Sequence, residues 1–131
     1  AYYNAEKKAH ILDALKKMAD LVIHRYGPLA QNRSYFDEPD EDGSKTHGLM
    51  IIEPLLMLYD MTGDERIVEF CRFLYDDFSK TPTVFPGDDC RLPNLLDPEK
   101  KLMGHGPHIC EQIRIPLLIY GYTGVEIYKK A

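Results

Sequence analysis

Sliding the 131-residue chain against itself by 61 positions lays His47 on His108, Ile52 on Ile113, Leu56 on Leu117, Tyr59 on Tyr120, Thr62-Gly63 on Thr123-Gly124 and Glu65 on Glu126. Self-similarity at a fixed period marks a stacked architecture, in which one supersecondary unit is laid beside the next. Each copy reads as a long loop, an apolar inner helix, a Thr-Gly turn and a one-sided outer helix. The expected fold class is therefore all-α, built of helical hairpins. Common helix-pair solenoids repeat at roughly 34 to 47 residues. The excess here sits in the long loops that precede the inner helices, and loops of that length are usually functional.

The hydrophobic pattern places the helices. Ile11, Leu12, Leu15, Met18, Ala19 and Val22 recur at steps of three and four, which predicts an amphipathic helix over 5–26, stopped by Gly27-Pro28. An acidic run through Pro39 and Gly43 makes 28–45 an exposed loop. Thr46 suits an N-cap, and 47–61 is apolar on most sides, as an enclosed helix is. Pro54 should kink that helix unless it starts later than position 47. After Thr62-Gly63, the stripe Ile67, Phe70, Cys71, Leu74 and Phe78 predicts an outer helix over 65–79. A second loop, 81–104, is broken by four prolines. A second inner helix over 107–122 and the start of an outer helix over 125–131 complete the pattern.

Composition narrows the function. The chain has the size of one ordinary domain. Sixteen Lys and Arg against twenty-one Asp and Glu give a formal charge of −5, so there is no basic field for nucleic acid or an anionic membrane surface. The longest apolar stretch, 49–59, is interrupted by Glu53 and Pro54 and is much shorter than the roughly 20 residues of a membrane span. Residues 1–7 lack the pattern of a secretory leader. Cys71, Cys90 and Cys110 fit neither a disulfide scaffold nor a paired zinc ribbon, and they leave the compartment open. There is no phosphate loop, no nucleophile elbow and no His-Glu-x-x-His motif.

The densest chemistry lies in His105-Gly106-Pro107-His108-Ile109-Cys110-Glu111. On a helix, His108 and Glu111 share a face with Arg114 close by, a set able to grip the hydroxyl groups of a polar ligand. The competing reading makes His105 and His108 helix caps and Cys110 a small core residue. A metal site is a third reading, since His105, His108, Asp88, Asp89 and Cys90 are competent ligands, although no standard zinc spacing is present. Glu53 and Glu111 project from the two inner helices, and glycoside hydrolysis uses paired carboxylates. Arg114 is expected to hold Glu111 ionised. Tyr35, Phe36 and Phe85 could stack on sugar rings or pack beneath their own loops. Both long loops lead into inner-helix N-termini, so the regions of His47 and His105 should share one face.

His105-Gly106-Pro107-His108 followed by Arg114-x-Pro116 and then Tyr120-x-x-Thr123-Gly124 resembles the His-Gly-Val-Asn helix of the β-L-arabinofuranosidase-like glycoside hydrolases. The preceding hairpin, His47-Gly48 through Glu53 and on to Thr62-Gly63-Asp64-Glu65, is similar to that family's adjoining repeat, with Leu92-Pro93-Asn94 where its linking loop would fall. The resemblance covers 46–126. It implies an (α/α) six-hairpin toroid, of which this chain is an incomplete part, with carbohydrate bound at the N-terminal ends of the inner helices. It also implies His47 and His105 as substrate contacts, and a cysteine nucleophile and zinc centre in later repeats outside this sequence. The expected site is then Glu111 as catalytic acid or base, with His47, Glu53, His105, His108 and Arg114 as substrate-binding residues. No cofactor is evident in this segment, and its expected partners are carbohydrate and the remaining hairpins of the same protein. The alternatives are a noncatalytic helical-repeat interaction protein, or another six-hairpin enzyme such as a polysaccharide lyase or sugar epimerase.

Overall fold

A computed structural model describes residues 8–36, 47–80 and 90–131. Among the described residues the chain is helical throughout its regular elements, with no strand; an isolated antiparallel bridge joins Gly27 to Arg33. The helices are α1 (Ala9–Arg25), α2 (Ile52–Thr62), α3 (Glu65–Lys80), the single turn α4 (Leu92–Leu95), α5 (Gly106–Gln112), α6 (Ile115–Thr123) and α7 (Glu126–Lys130). Short 3₁₀ turns occupy Pro28–Ala30 and Gly48–Ile51. The expected N-cap at Thr46, the acidic run after Phe36, and Phe85, Asp88 and Asp89 lie outside the described residues.

The outer helix α3 builds the core. Ile67, Phe70, Cys71, Leu74 and Phe78 are buried as the stripe predicts, joined by Tyr75, and each large apolar side chain removed from water contributes about 1.5–3 kcal/mol. The Tyr75 hydroxyl donates to the Cys90 carbonyl at 2.9 Å, so the burial leaves its polar end satisfied. On α1 the buried residues are Ala19 and Ile23, with Leu12, Leu15 and Val22 packed beside them. Met18, expected in that stripe, is 65% exposed, while the adjacent Ala19 is buried, so the buried side of the helix runs through Ala19 and Ile23.

Both inner helices are shorter than the apolar pattern predicts, and for the same reason. A 3₁₀ turn covers Gly48–Ile51 and the α-helix starts at Ile52, which puts Pro54 in the first turn, where its missing N–H would have had no partner. The expected helix over 107–122 is likewise divided into α5 and α6 by a turn at residues 113–114, so that Pro116 falls in the opening turn of α6. The later start is the alternative to a kink that the sequence leaves open at Pro54, and each proline is accommodated by a new helix start.

The turn chemistry repeats bond for bond. Gly63 and Gly124 close α2 and α6 with φ of 67° and 66°, a left-handed geometry that costs other residues about 1–2 kcal/mol. Their amides donate to the carbonyls of Tyr59 and Tyr120 at 2.7 and 2.8 Å. Thr62 and Thr123 donate their hydroxyls to the carbonyls of Leu58 and Ile119, and accept from the amides of Asp64 and Val125. Tyr59 donates to Glu65 and Tyr120 to Glu126, so each inner helix is tied to its own outer helix by the same pair.

The second hairpin lies beside the first: α6 contacts both α2 and α3. Side-chain contacts between copies join His47 to His108, Glu53 to Arg114 and Asp60 to Tyr122. The difference in number stays at 61 or 62 along the whole contact, so the inner helices run parallel and in register.

Candidate functional site

The loops before the inner helices deliver three histidines to one place. His47 precedes the turn Gly48–Ile51, His105 is the N-cap of α5, and His108 lies one turn further on. The His47 and His108 rings stand 4.6 Å apart at 88°, and His108 and His105 are 5.0 Å apart at 72°, a row of edge-to-face contacts. His47 and His105 are exposed and His108 is half-buried. Neither His47 nor His105 makes a side-chain capping bond, so helix capping does not account for their placement.

The seat beneath His47 is aromatic. A Cβ added to Gly48 would fall 2.8 Å from the rings of both Tyr35 and Phe36, so only glycine lets the backbone lie against them. Ser34 and the Tyr35 amide hold that segment to α3 through Asp77, at 2.7 and 3.1 Å. Phe36 is fully buried, and Tyr35 is half-buried in edge contacts with Tyr26 and Phe36. Of the two sugar-stacking candidates described, Phe36 is thereby removed and Tyr35 serves as support for the histidine row.

Glu53 and Arg114 meet across the two copies. The guanidinium forks onto both carboxylate oxygens, with Nη1 donating to Oε1 at 2.8 Å and Nη2 to Oε2. The hydrogen bond from Arg114 holds the Glu53 carboxyl below its ordinary value against a smaller opposing effect of burial, so Glu53 is ionised and ill suited to donate a proton. The expected pairing of Arg114 with Glu111 is corrected here. Glu111, half-buried on α5 three residues beyond His108, adds only a longer-range attraction, while the bonds go to Glu53. The offset of 61 that aligns the apolar residues also sets 53 against 114; a charge pair at the repeat distance was the sequence signal for this contact.

Asp60 and Tyr122 were also missed. The hydroxyl donates to the carboxylate at 2.8 Å, and that bond, with burial, pushes the phenol up to about 12. The cysteines divide by burial. Cys71 is buried and its thiol is pushed up to about 12, which makes it inert, and Cys90 is buried. Cys110 is exposed, contrary to the reading of it as a core residue.

Among the described residues, no group of three or more His, Cys, Asp or Glu is arranged to hold a metal ion. Zinc needs donor atoms converging at about 2.0–2.3 Å, whereas the three imidazoles meet ring edge to ring face. Among the described residues, no helix is long and apolar enough to cross a membrane. The arrangement therefore offers a row of imidazoles that can donate or accept hydrogen bonds, the carboxyl group of Glu111 and the ion pair Glu53–Arg114. Comparison with known protein families, with curated proteins and with solved structures finds no match to this chain.

Proposed function

We propose that this chain is a carbohydrate-binding segment of an (α/α) toroid, belonging to a glycoside hydrolase that acts on arabinofuranoside-like or other glycans. The observation that carries the reading is the row His47, His108 and His105, with exposed rings at both its ends, at the N-terminal ends of two parallel inner helices. Imidazoles at neutral pH both donate and accept hydrogen bonds, which matches a ring bearing several hydroxyls. The chain's formal net charge of −5 favours a neutral sugar over a phosphate or a nucleotide. The likeness of the His-Gly segments to β-L-arabinofuranosidase-like enzymes points the same way.

In this reading the three histidines and the Glu53–Arg114 pair position the sugar, and Glu111 is the acid or base. Glycoside hydrolysis uses two carboxyl groups, and Glu53 is committed to Arg114. The second carboxylate is accordingly assigned to another hairpin of the assembled enzyme. The test is a titration of the chain with L-arabinose and an arabinose-containing oligosaccharide, followed by the histidine ring signals in NMR. Saturable shifts of His47, His105 and His108, abolished by a His105→Ala, His108→Ala double variant that remains folded, are expected. Unmoved histidines at saturating sugar would contradict the reading.

A noncatalytic interaction protein is the second reading, and the closure of Glu53 onto Arg114 favours it, since it removes one of the two carboxylates from service. In the intact enzyme, Glu111→Gln separates the two: loss of turnover with retained sugar binding supports catalysis, and full turnover removes Glu111 from it.

A further inference from the structure

The two segments that lead to the histidines are fastened to one place, the C-terminal end of α3. From the first, the Ser34 hydroxyl and the Tyr35 amide donate to Asp77 Oδ2 at 2.7 and 3.1 Å, and Ser34 in turn accepts from the Phe36 amide at 3.0 Å. The two rings held there bear on Gly48, the residue directly after His47, and leave no room for a Cβ. From the second, the Leu92 amide donates to the Ser79 hydroxyl at 3.1 Å, and the Cys90 carbonyl accepts from Tyr75. The Cys90 thiol, a weak donor, lies 3.9 Å from the carbonyl of Ile109, the neighbour of His108. Phe78 meets both segments: the Phe36 ring stands 5.5 Å from its own, and the Arg91 guanidinium lies 5.5 Å over it.

We propose that the C-terminal end of α3 is a common platform that positions the histidine row, Asp77 setting His47 through the 34–36 segment and Tyr75 setting His105 and His108 through Cys90. Tyr75 and Ser79, four apart, share one side of the helix, and Asp77 lies about half a turn round from them, so the two segments are held without competing. Tyr75 and Phe78 are buried, which anchors the platform in the core. The turn Gly48–Ile51 touches both α3 and α5. Loosening either tie therefore changes the gap that the His47 and His108 rings close at 4.6 Å. The positioning is a matter of geometry; only its effect on sugar affinity rests on the carbohydrate reading.

The test compares Asp77→Ala, Asp77→Asn and Tyr75→Phe in the full chain, read by the nuclear Overhauser cross-peak between the His47 and His108 rings. Asp77→Ala removes both bonds and should weaken that cross-peak about twofold or more, since a site is misplaced by a fraction of an ångström of give in its support. The cross-peak between His105 and His108, which belong to the same helix start, should stay. Asp77→Asn keeps an acceptor oxygen and should restore the signal. Tyr75→Phe keeps the ring, loses the bond to Cys90 and should weaken the same cross-peak. Ser34→Ala and Ser79→Ala break the two ties from their other members and replace a variant that fails to fold. A folded Asp77→Ala or Tyr75→Phe chain that melts lower yet keeps the cross-peak at full intensity overturns the proposal, as does an Asp77→Asn chain no better than alanine. With an arabinose-containing oligosaccharide as probe, Asp77→Ala should also bind about tenfold more weakly. A wild-type chain that binds no sugar counts against the carbohydrate reading and leaves the cross-peaks to decide the positioning.

Discussion

Ile52 and Leu56 in the first copy of the repeat are buried, whereas Ile113 and Leu117, at the same places in the second, face solvent. The turns that follow them are nonetheless alike, with the same left-handed glycine, threonine bridge and Tyr-to-Glu bond. Turn geometry is thus a local property, fixed by a few residues through bonds of short reach. Burial is decided by what lies alongside, and among the described residues the first copy is covered on this face where the second is not. The same sequence position can therefore be central to stability in one copy and nearly silent in the other.

The sharpest way to break this comparison is truncation at position 56 and at position 117. Leu56→Ala should cost about 2–4 kcal/mol, the range for emptying a packed leucine site. Leu117→Ala should stay within about 0.5 kcal/mol, as at other exposed positions. Urea unfolding at low protein concentration reads both, and equal losses would refute the difference in surroundings. Gly63→Ala and Gly124→Ala should behave alike, each losing about 1–2 kcal/mol to the left-handed backbone; a large disparity would show that the turns are not local.

Tyr122→Phe removes the bond to Asp60 that joins the copies, at a cost of about 1 kcal/mol. Folding raises this phenol from 10.0 to about 12. Its contribution is therefore complete below pH 10 and is lost as pH rises through the folded value. The variant should flatten stability between those two values, measured as melting temperature against pH. A smaller effect belongs to Glu53→Gln, at about 0.5 kcal/mol for a half-exposed pair screened by water. Since folding lowers this carboxyl from 4.5, its contribution is present above that value and fades as pH falls through the folded one. Glu53→Gln should therefore lose less stability on acidification than the parent.

Much of this fold is legible in the repeat and in the Thr-Gly turns, because both rest on periodicity and on glycine's access to positive φ. The interruptions at Pro54 and Pro116 were harder to read, since an apolar run does not say whether a proline will kink a helix or open one. The spacing of Met18 matches the apolar stripe, yet which side of α1 is buried depends on its contacts with α2 and α3. At the site, the gathering of His47 with His105 and His108 follows from loops that enter at one end. The choice of Glu53 over Glu111 by Arg114 depends on side-by-side register between copies, which sequence-local spacing ignores. The burial of Phe36 depends on the close approach of Gly48, a three-dimensional contact with no periodic signature.

The central claim is that equivalent positions of the two copies touch, in register, at the histidine-bearing end. A nuclear Overhauser experiment on the folded chain, with ring protons assigned through a His47→Gln variant, addresses it directly. The account predicts cross-peaks between the rings of His47 and His108 and between those of His108 and His105. Rings of His47 and His108 that show no mutual cross-peak, while each reports other neighbours, would contradict it.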